Sequence, residues 1–168
     1  YYHFRYRDVL FIVLDTEDAE RPMPPNMEED INTYNLLKKE DPKKALAFIV
    51  EWMKTPEAQE AFGEGAKVEF PEPQRAWFKK VLSENADVRW SLVFLHEPVW
   101  NNPSDSFKEM DEAIQGRGYT FFAGHTHYYD YELINGHEYI TVASAGAAFV
   151  HDGPGNVDHL TWVTMRDD

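Results

Sequence analysis

Unbroken apolar runs and short alternating stretches recur along the chain, and both patterns are typical of β-strands. Apolar and polar residues alternate over 1–6, and an unbroken apolar run over 9–14 follows a short turn, which predicts an edge strand leading into a buried strand. Further apolar runs predict strands over 88–95, 119–123 and 160–165. Most of these strands are continuously apolar, which is typical of buried strands.

A β-hairpin is predicted near the C-terminal side of the chain. Two strand-like segments, 129–134 and 137–142, flank the dipeptide Asn135-Gly136. Asn-Gly readily supplies the two positive φ angles of a tight hairpin turn.

Helical spacing of apolar residues separates the predicted strands. A helix is expected to start at Pro73, to carry Trp77 and Phe78 on its apolar face and to end at Asn85. A second helix is expected over 107–114. Helices that alternate with buried strands define the α/β class.

The segment 16–72 does not follow this alternation of helices and strands and is predicted to be an acidic helical insertion. Its first part is rich in acidic residues and prolines and reads as a surface loop. Helices are expected over 45–53 and from Pro56 to about Gly63, with Thr55 as the N-cap of the second. The acidic side chains are interpreted mainly as a solvated face.

Composition limits the partners and the metal ligands that this chain can have. The chain has 168 residues, enough for one folded domain, and 43% of them are hydrophobic. Its formal net charge of −14 disfavours a nucleic-acid duplex or an anionic membrane as partner. Because the chain contains no cysteine, any metal must be held by His, Asp, Glu or Asn. No apolar run approaches the length of a membrane-spanning helix. The start at Tyr1, without a signal-like segment, suggests an excerpt from a longer polypeptide, and its cellular compartment stays unknown.

Histidines stand at the ends of two predicted strands. His96 follows the run 88–95, and His125 and His127 follow 119–123 within Gly124-His125-Thr126-His127. Ligands of α/β sheets bind beyond the carboxyl ends of the strands. In extended backbone His125 and His127 would project to the same side, and Gly124 would ease a bend or a close approach. Imidazole is a preferred ligand of zinc, iron and manganese sites, so the three histidines are candidate metal ligands.

Other polar residues lie near these strand ends. Asp15 ends the first buried strand and is interpreted as a turn-capping carboxylate. Glu97 could orient a histidine ligand or remain a solvated acid. His151 begins a loop that could border the site, while His3, His137 and His159 are interpreted as structural.

These motifs together resemble the C-terminal half of a calcineurin-like metallophosphoesterase. The resemblance rests on the segments Val93-Phe94-Leu95-His96-Glu97-Pro98 and Gly124-His125-Thr126-His127, on the opening strands, and on Gln74-Arg75-Ala76-Trp77-Phe78 before the His96 strand. It implies a four-layer α/β/β/α sandwich, with residues 1–168 forming a domain that is incomplete on its N-terminal side. It also implies that His96 and His125 bind one metal and His127 a second.

The family's remaining motifs are missing from this sequence. No Asp-x-His, Gly-Asp or Asn-His element occurs, so the bridging carboxylate and the catalytic acid are expected upstream or on a complementing chain. The resemblance implies that the intact protein uses two metal ions, such as Mn, Fe or Zn, and a metal-bridging hydroxide to hydrolyse a phosphomonoester or phosphodiester. For the chain alone we expect weak or single-metal binding and little turnover.

Two other functional classes remain open. His125-x-His127 followed by Glu132 also resembles the first metal motif of cupins, although the predicted helices and the upstream position of His96 disfavour that fold. The chain could instead be a non-catalytic metal-binding or interaction module.

Overall fold

The protein is divided into two compact units. The computed structural model describes residues 1–19, 23–62, 67–146, 155–158 and 160–166. The first unit comprises Tyr1–Ala19 with Val68–Asp168, and the second comprises Glu20–Lys67. The second unit falls inside the segment 16–72 that the sequence sets apart as an insertion.

A six-stranded sheet forms the centre of the first unit. Its strands are β1 (Tyr2–Tyr6), β2 (Val9–Val13), β3 (Trp90–Phe94), β4 (Tyr119–Ala123), β5 (Asp130–Ile134) and β6 (His137–Thr141). They are ordered β1-β2-β3-β4-β6-β5, with β2, β3, β4 and β6 parallel and both edge strands antiparallel to their neighbours. The carboxyl ends of the four central strands therefore meet at one edge of the sheet.

One face of the sheet is covered by α4 (Glu72–Glu84) and α5 (Asp105–Ile114). Buried residues of both helices belong to one hydrophobic cluster with residues of β2, β3 and β4, so both helices lie on the same side of the sheet. Their apolar side chains pack on alternate strand residues, among them Ile12, Val93 and Phe121, and all three are fully buried. This layer contains the main hydrophobic core.

Aromatic rings line the opposite face of the sheet. Phe4, Phe11, Phe94 and Phe122 form a row across four strands, with neighbouring ring centroids 4.6, 6.4 and 5.2 Å apart. Met165, beyond the last strand, packs against the apolar cluster on this face. Within the described part of the unit, no helix or strand covers this face.

The second unit contains the helices α1 (Met27–Glu40), α2 (Pro42–Trp52) and α3 (Pro56–Phe62). Asp41 caps α2 by accepting from the backbone N–H of Lys43 and Lys44, and Thr55 Oγ1 accepts from the N–H of Ala58 in the first turn of α3. Trp52 Nε1 donates to Asp30 at 2.8 Å and joins α2 to α1.

Several predicted elements are confirmed. The chain is mixed α/β, as expected. Both hairpin strands form, and the turn between them has the two positive φ angles that Asn135 and Gly136 were expected to supply, 53° and 83°. Helix α4 has a proline in its first turn and ends at Glu84, with Asn85 as its C-cap.

Two expectations about secondary structure are wrong. The acidic stretch read as loop already begins α1 at Met27, because Glu28, Glu29 and Asp30 occupy a helix N-terminus, where negative charge is favourable. Residues 160–165 adopt no regular secondary structure. The segment is held on the sheet by Met165 and by the Arg89 guanidinium, which donates to the carbonyl of Arg166, and it joins none of the five strand pairings.

No helix among the described residues is long and apolar enough to span a membrane.

Candidate metal centre

The loops that follow β3 and β4 begin side by side. Leu95 N–H donates to the carbonyl of Phe122 at 3.0 Å, and Gly124 N–H donates to the carbonyl of His96 at 2.9 Å. These bonds continue the parallel ladder one step past each strand. The two histidine-bearing segments are thereby fixed next to each other at the carboxyl edge of the sheet.

His96 and His125 are in direct contact. Nδ1 of His125 lies 3.1 Å from Nε2 of His96, and the ring centroids are 5.0 Å apart with the planes nearly perpendicular. His96 is exposed and His125 is half-buried, so solvent reaches the pair. Residues 29 positions apart in the sequence thus present two ring nitrogens to the same point.

The backbone turns sharply at His125. Its φ is +70°, and the N–H of Thr126 donates to the carbonyl of Gly124 at 2.8 Å, which closes a γ-turn around His125. His127 also has a positive φ of 59°. Left-handed backbone at two non-glycine residues within one loop carries strain, and such strain concentrates at functional sites.

The expectation that His125 and His127 project to one side of an extended strand is wrong. The strand pairing ends at Gly124, and the γ-turn begins with the next residue. The positive φ angles of both histidines differ from extended backbone, so the alternation of side chains along a strand does not apply to them.

The expected role of Gly124 is also not required by the geometry. Gly124 has no positive φ, and a methyl group in place of its hydrogen would meet the carbonyl oxygen of His96 at 3.9 Å, an ordinary contact.

Glu97 is a buried acid rather than a solvated one. It is 5% exposed, and its Oε2 lies 4.0 Å from Nε2 of His125. Nδ1 of the same ring contacts His96, so the two nitrogens of His125 have different neighbours. The distance to Glu97 allows electrostatic attraction and exceeds that of a hydrogen bond.

Asp15 caps its own turn, as expected. Its Oδ1 accepts from the N–H of Glu17 at 2.9 Å. The buried side chain of Gln74 holds the Asp15 backbone from the other side, accepting from its N–H at 2.8 Å and donating to its carbonyl at 3.0 Å. A glutamine on α4 therefore fixes the end of β2, a role that hydrophobic periodicity does not reveal.

Gly155, distant in the sequence, contacts the backbone of Tyr129, two residues after His127. The N–H of Tyr129 donates to the carbonyl of Gly155 at 2.8 Å. Gly155 has φ +90°, and a Cβ there would meet the Tyr129 carbonyl oxygen at 2.3 Å. Only glycine allows this approach. His151, proposed as a border of the site, and His159 lie outside the described residues.

The arrangement of His96 and His125 fits two ligands of one metal ion. Two imidazole nitrogens bound to a tetrahedral zinc at about 2.0–2.1 Å lie roughly 3.3 Å apart, close to the 3.1 Å between the facing nitrogens. The described residues contain no group of three or more His, Asp or Glu side chains placed to hold a metal. His127 is half-buried on the same loop, and the described structure does not gather it with the other two histidines into such a group.

The sequence also gave no signal for Thr126. It is 3% exposed, and its hydroxyl makes no hydrogen bond to any described residue. A threonine between two histidines reads as a spacer, and its burial follows from the turn at His125.

Comparison with models of protein families found no match to this chain, and neither did searches of curated proteins and of solved structures.

Proposed function

We propose that this chain carries part of the metal centre of a phosphoric ester hydrolase. The observation that carries the proposal is the pair of facing nitrogens of His96 and His125, 3.1 Å apart, beyond the ends of two adjacent parallel strands. That edge of an α/β sheet is where ligands bind. The pair fits one metal ion, and we assign His127 to a second metal, following the resemblance to metallophosphoesterases.

The chemistry follows from the donors. Bound metal ions would polarise the phosphoryl oxygens of an ester and activate a water molecule as nucleophile. Neutral imidazoles add no negative charge, so they preserve the electrophilicity of the ion. Each imidazole must be deprotonated to bind, so metal loading is expected to be acid-sensitive. We assign the bridging carboxylate and the catalytic acid to residues outside this sequence.

The face of the sheet opposite α4 and α5 supports a sandwich with a further layer. The edge strand β1 exposes Tyr2, Phe4 and Tyr6 at 58%, 49% and 63%, and at the other edge Leu133 is 63% exposed. Large apolar patches on a folded unit mark surfaces that bind another layer or partner. We propose that a second sheet packs here, either from the same polypeptide or from a complementing chain.

A cupin-like function is disfavoured by the fold. A cupin is a small antiparallel β-barrel, whereas this sheet is parallel in its centre and is covered by two helices. An interaction module without catalysis remains the alternative to a hydrolase.

Hydrolysis is tested on the complete polypeptide encoded by the gene that contains this sequence. The protein is loaded with Mn²⁺, and release of p-nitrophenol from p-nitrophenyl phosphate and from its bis-ester is measured. We expect metal-dependent hydrolysis of at least one ester and a loss of at least about 100-fold in His96→Asn and His125→Asn. The matched control His3→Asn changes an exposed strand histidine and should retain activity. Absence of metal-dependent turnover, or full activity in His96→Asn, would overturn the proposal.

A further inference from the structure

Glu97 is a nearly fully buried acid that the proposed chemistry does not use directly. It follows His96 in the chain and is 5% exposed, and buried acids are generally paired with another group. Its Oε2 lies 4.0 Å from Nε2 of His125, the ring nitrogen that does not contact His96. A candidate metal ligand therefore lies directly beside a buried carboxylate.

The two nitrogens of His125 face different groups. Nδ1 faces Nε2 of His96 at 3.1 Å, and Nε2 faces the carboxylate. A negative charge beside Nε2 favours a proton on that nitrogen. Nδ1 is then left with its lone pair directed toward His96. A histidine ligand of a metal generally turns its second ring nitrogen toward a carboxylate or carbonyl, which fixes its tautomer and orientation.

We propose that Glu97 is a positioning residue that holds His125 in the Nε2–H tautomer, so that Nδ1 of His125 and Nε2 of His96 are the two metal-binding nitrogens. The inference rests on the proposed metal site and specifies which atom of His125 serves it. Glu97 acts through His125 and does not itself bind the ion.

Without metal, the same arrangement fixes the direction of the contact between the histidines. If His125 carries its proton on Nε2, its Nδ1 must accept, and His96 must donate from Nε2 across the 3.1 Å contact. Both histidines should therefore be Nε2–H tautomers in the metal-free protein. The tautomers are observable in nitrogen chemical shifts, and side-chain packing alone does not determine them.

The first experiment measures tautomers in the metal-free 168-residue chain. Long-range ¹H–¹⁵N spectra, assigned through His96→Asn and His125→Asn, distinguish the two neutral forms by their nitrogen shifts. We expect His125 as Nε2–H in the wild type and a mixed population in Glu97→Leu. A wild-type His125 in the Nδ1–H form, or an unchanged tautomer in Glu97→Leu, would overturn the role of Glu97.

The second experiment measures Zn²⁺ affinity by calorimetry. Glu97→Gln is expected to weaken binding by about 10-fold or more, which is typical when the carboxylate behind a histidine ligand is lost. The control Asp15→Asn removes the same charge at the same sheet edge, where Asp15 only caps a turn, and should change the affinity less than threefold. Circular dichroism verifies that each variant is folded.

The outcomes separate the two proposals. Equal affinity of Glu97→Gln and the wild type overturns the positioning role and leaves the metal site standing. Absence of zinc binding in the wild type overturns the metal site, and the tautomer spectra still decide whether Glu97 orients His125.

Discussion

Single residues near the strand ends determine the local geometry. His125 adopts a left-handed conformation in a γ-turn, and Gly155 adopts one in order to approach Tyr129.

On the helix-covered side of the sheet, hydroxyls meet a carboxylate in a buried cluster. Tyr139 donates to Asp111 and lies 3.1 Å from the hydroxyl of Tyr119.

The Tyr139 hydroxyl makes stability dependent on alkaline pH. Burial, and then the hydrogen bond to Asp111, raise the pKa of Tyr139 far above its usual value. The folded protein therefore keeps a proton that the unfolded chain loses above pH of about 10. The free energy of unfolding should fall by roughly 1.4 kcal/mol between pH 9 and 11 from this group.

Urea denaturation across that pH range tests the prediction. Tyr139→Phe should flatten the alkaline loss of stability, and at neutral pH it should cost about 1–3 kcal/mol because the carboxylate loses a partner. The control Tyr6→Phe changes an exposed tyrosine and should behave like the wild type. An identical pH profile in Tyr139→Phe would contradict this account.

Gly155 and Gly124 should respond differently to alanine. Gly155→Ala places a methyl group 2.3 Å from the Tyr129 carbonyl oxygen at φ +90°, so we expect a loss of about 1–3 kcal/mol in thermal or urea unfolding. Gly124→Ala meets only an ordinary contact and should change stability by less than about 0.5 kcal/mol. The reverse ranking would show that the loop geometry described above is wrong.

The arrangement of strands and helices determines which residues come into contact. The parallel pairing of β3 with β4 places His96 beside His125, and α4 holds the end of β2 through Gln74. Gln74 is fully buried and bonds both backbone groups of Asp15, so it ties α4 to the segment that follows β2.

Removing Gln74 should therefore loosen the end of β2. Gln74→Leu keeps the side-chain volume but leaves the Asp15 N–H and carbonyl without their partner, with an expected loss of about 2–4 kcal/mol. Amide hydrogen exchange at residues 13–16 should accelerate. Lys80→Met, on the exposed side of the same helix, serves as the control and should change neither quantity appreciably. Unaltered exchange in Gln74→Leu would contradict the proposed role of the glutamine.

The sequence predicted elements better than the site. Apolar runs and the Asn135-Gly136 turn are local signals, and the sheet and hairpin follow from them. The contact between His96 and His125 depends on strand order, which periodicity does not encode. No residue pattern gives a signal for the positive φ angles of His125 and His127. Burial of Glu97 was equally invisible, because an acid after a strand usually remains solvated.

At the scale of the molecule, the two faces of the sheet differ in their covering. One face is buried by α4 and α5, and the other carries a row of aromatic rings that is exposed at Phe4 on the edge strand and buried at Phe122. A chain with a net charge of −14 repels copies of itself, whereas the apolar side chains of this face favour association.

The uncovered face should promote association of the isolated chain. We expect concentration-dependent oligomers in light scattering and strong binding of the dye ANS, both increasing with salt as charge repulsion is screened. The double variant Phe4→Lys with Leu133→Lys should reduce both, whereas Leu36→Lys, on the second unit, should reduce neither. A monomer without ANS binding at high concentration would contradict the expectation of a further layer.

The central claim is that His96 and His125 bind the same metal ion. Calorimetric titration of the 168-residue chain with Zn²⁺ and Mn²⁺ at pH 7.5, repeated on His96→Asn, His125→Asn and the control His3→Asn, tests it most directly. We predict one ion per chain and at least a tenfold loss of affinity in each site variant, with the control unchanged. Absence of binding in the wild type, or undiminished affinity in both site variants, would contradict the claim.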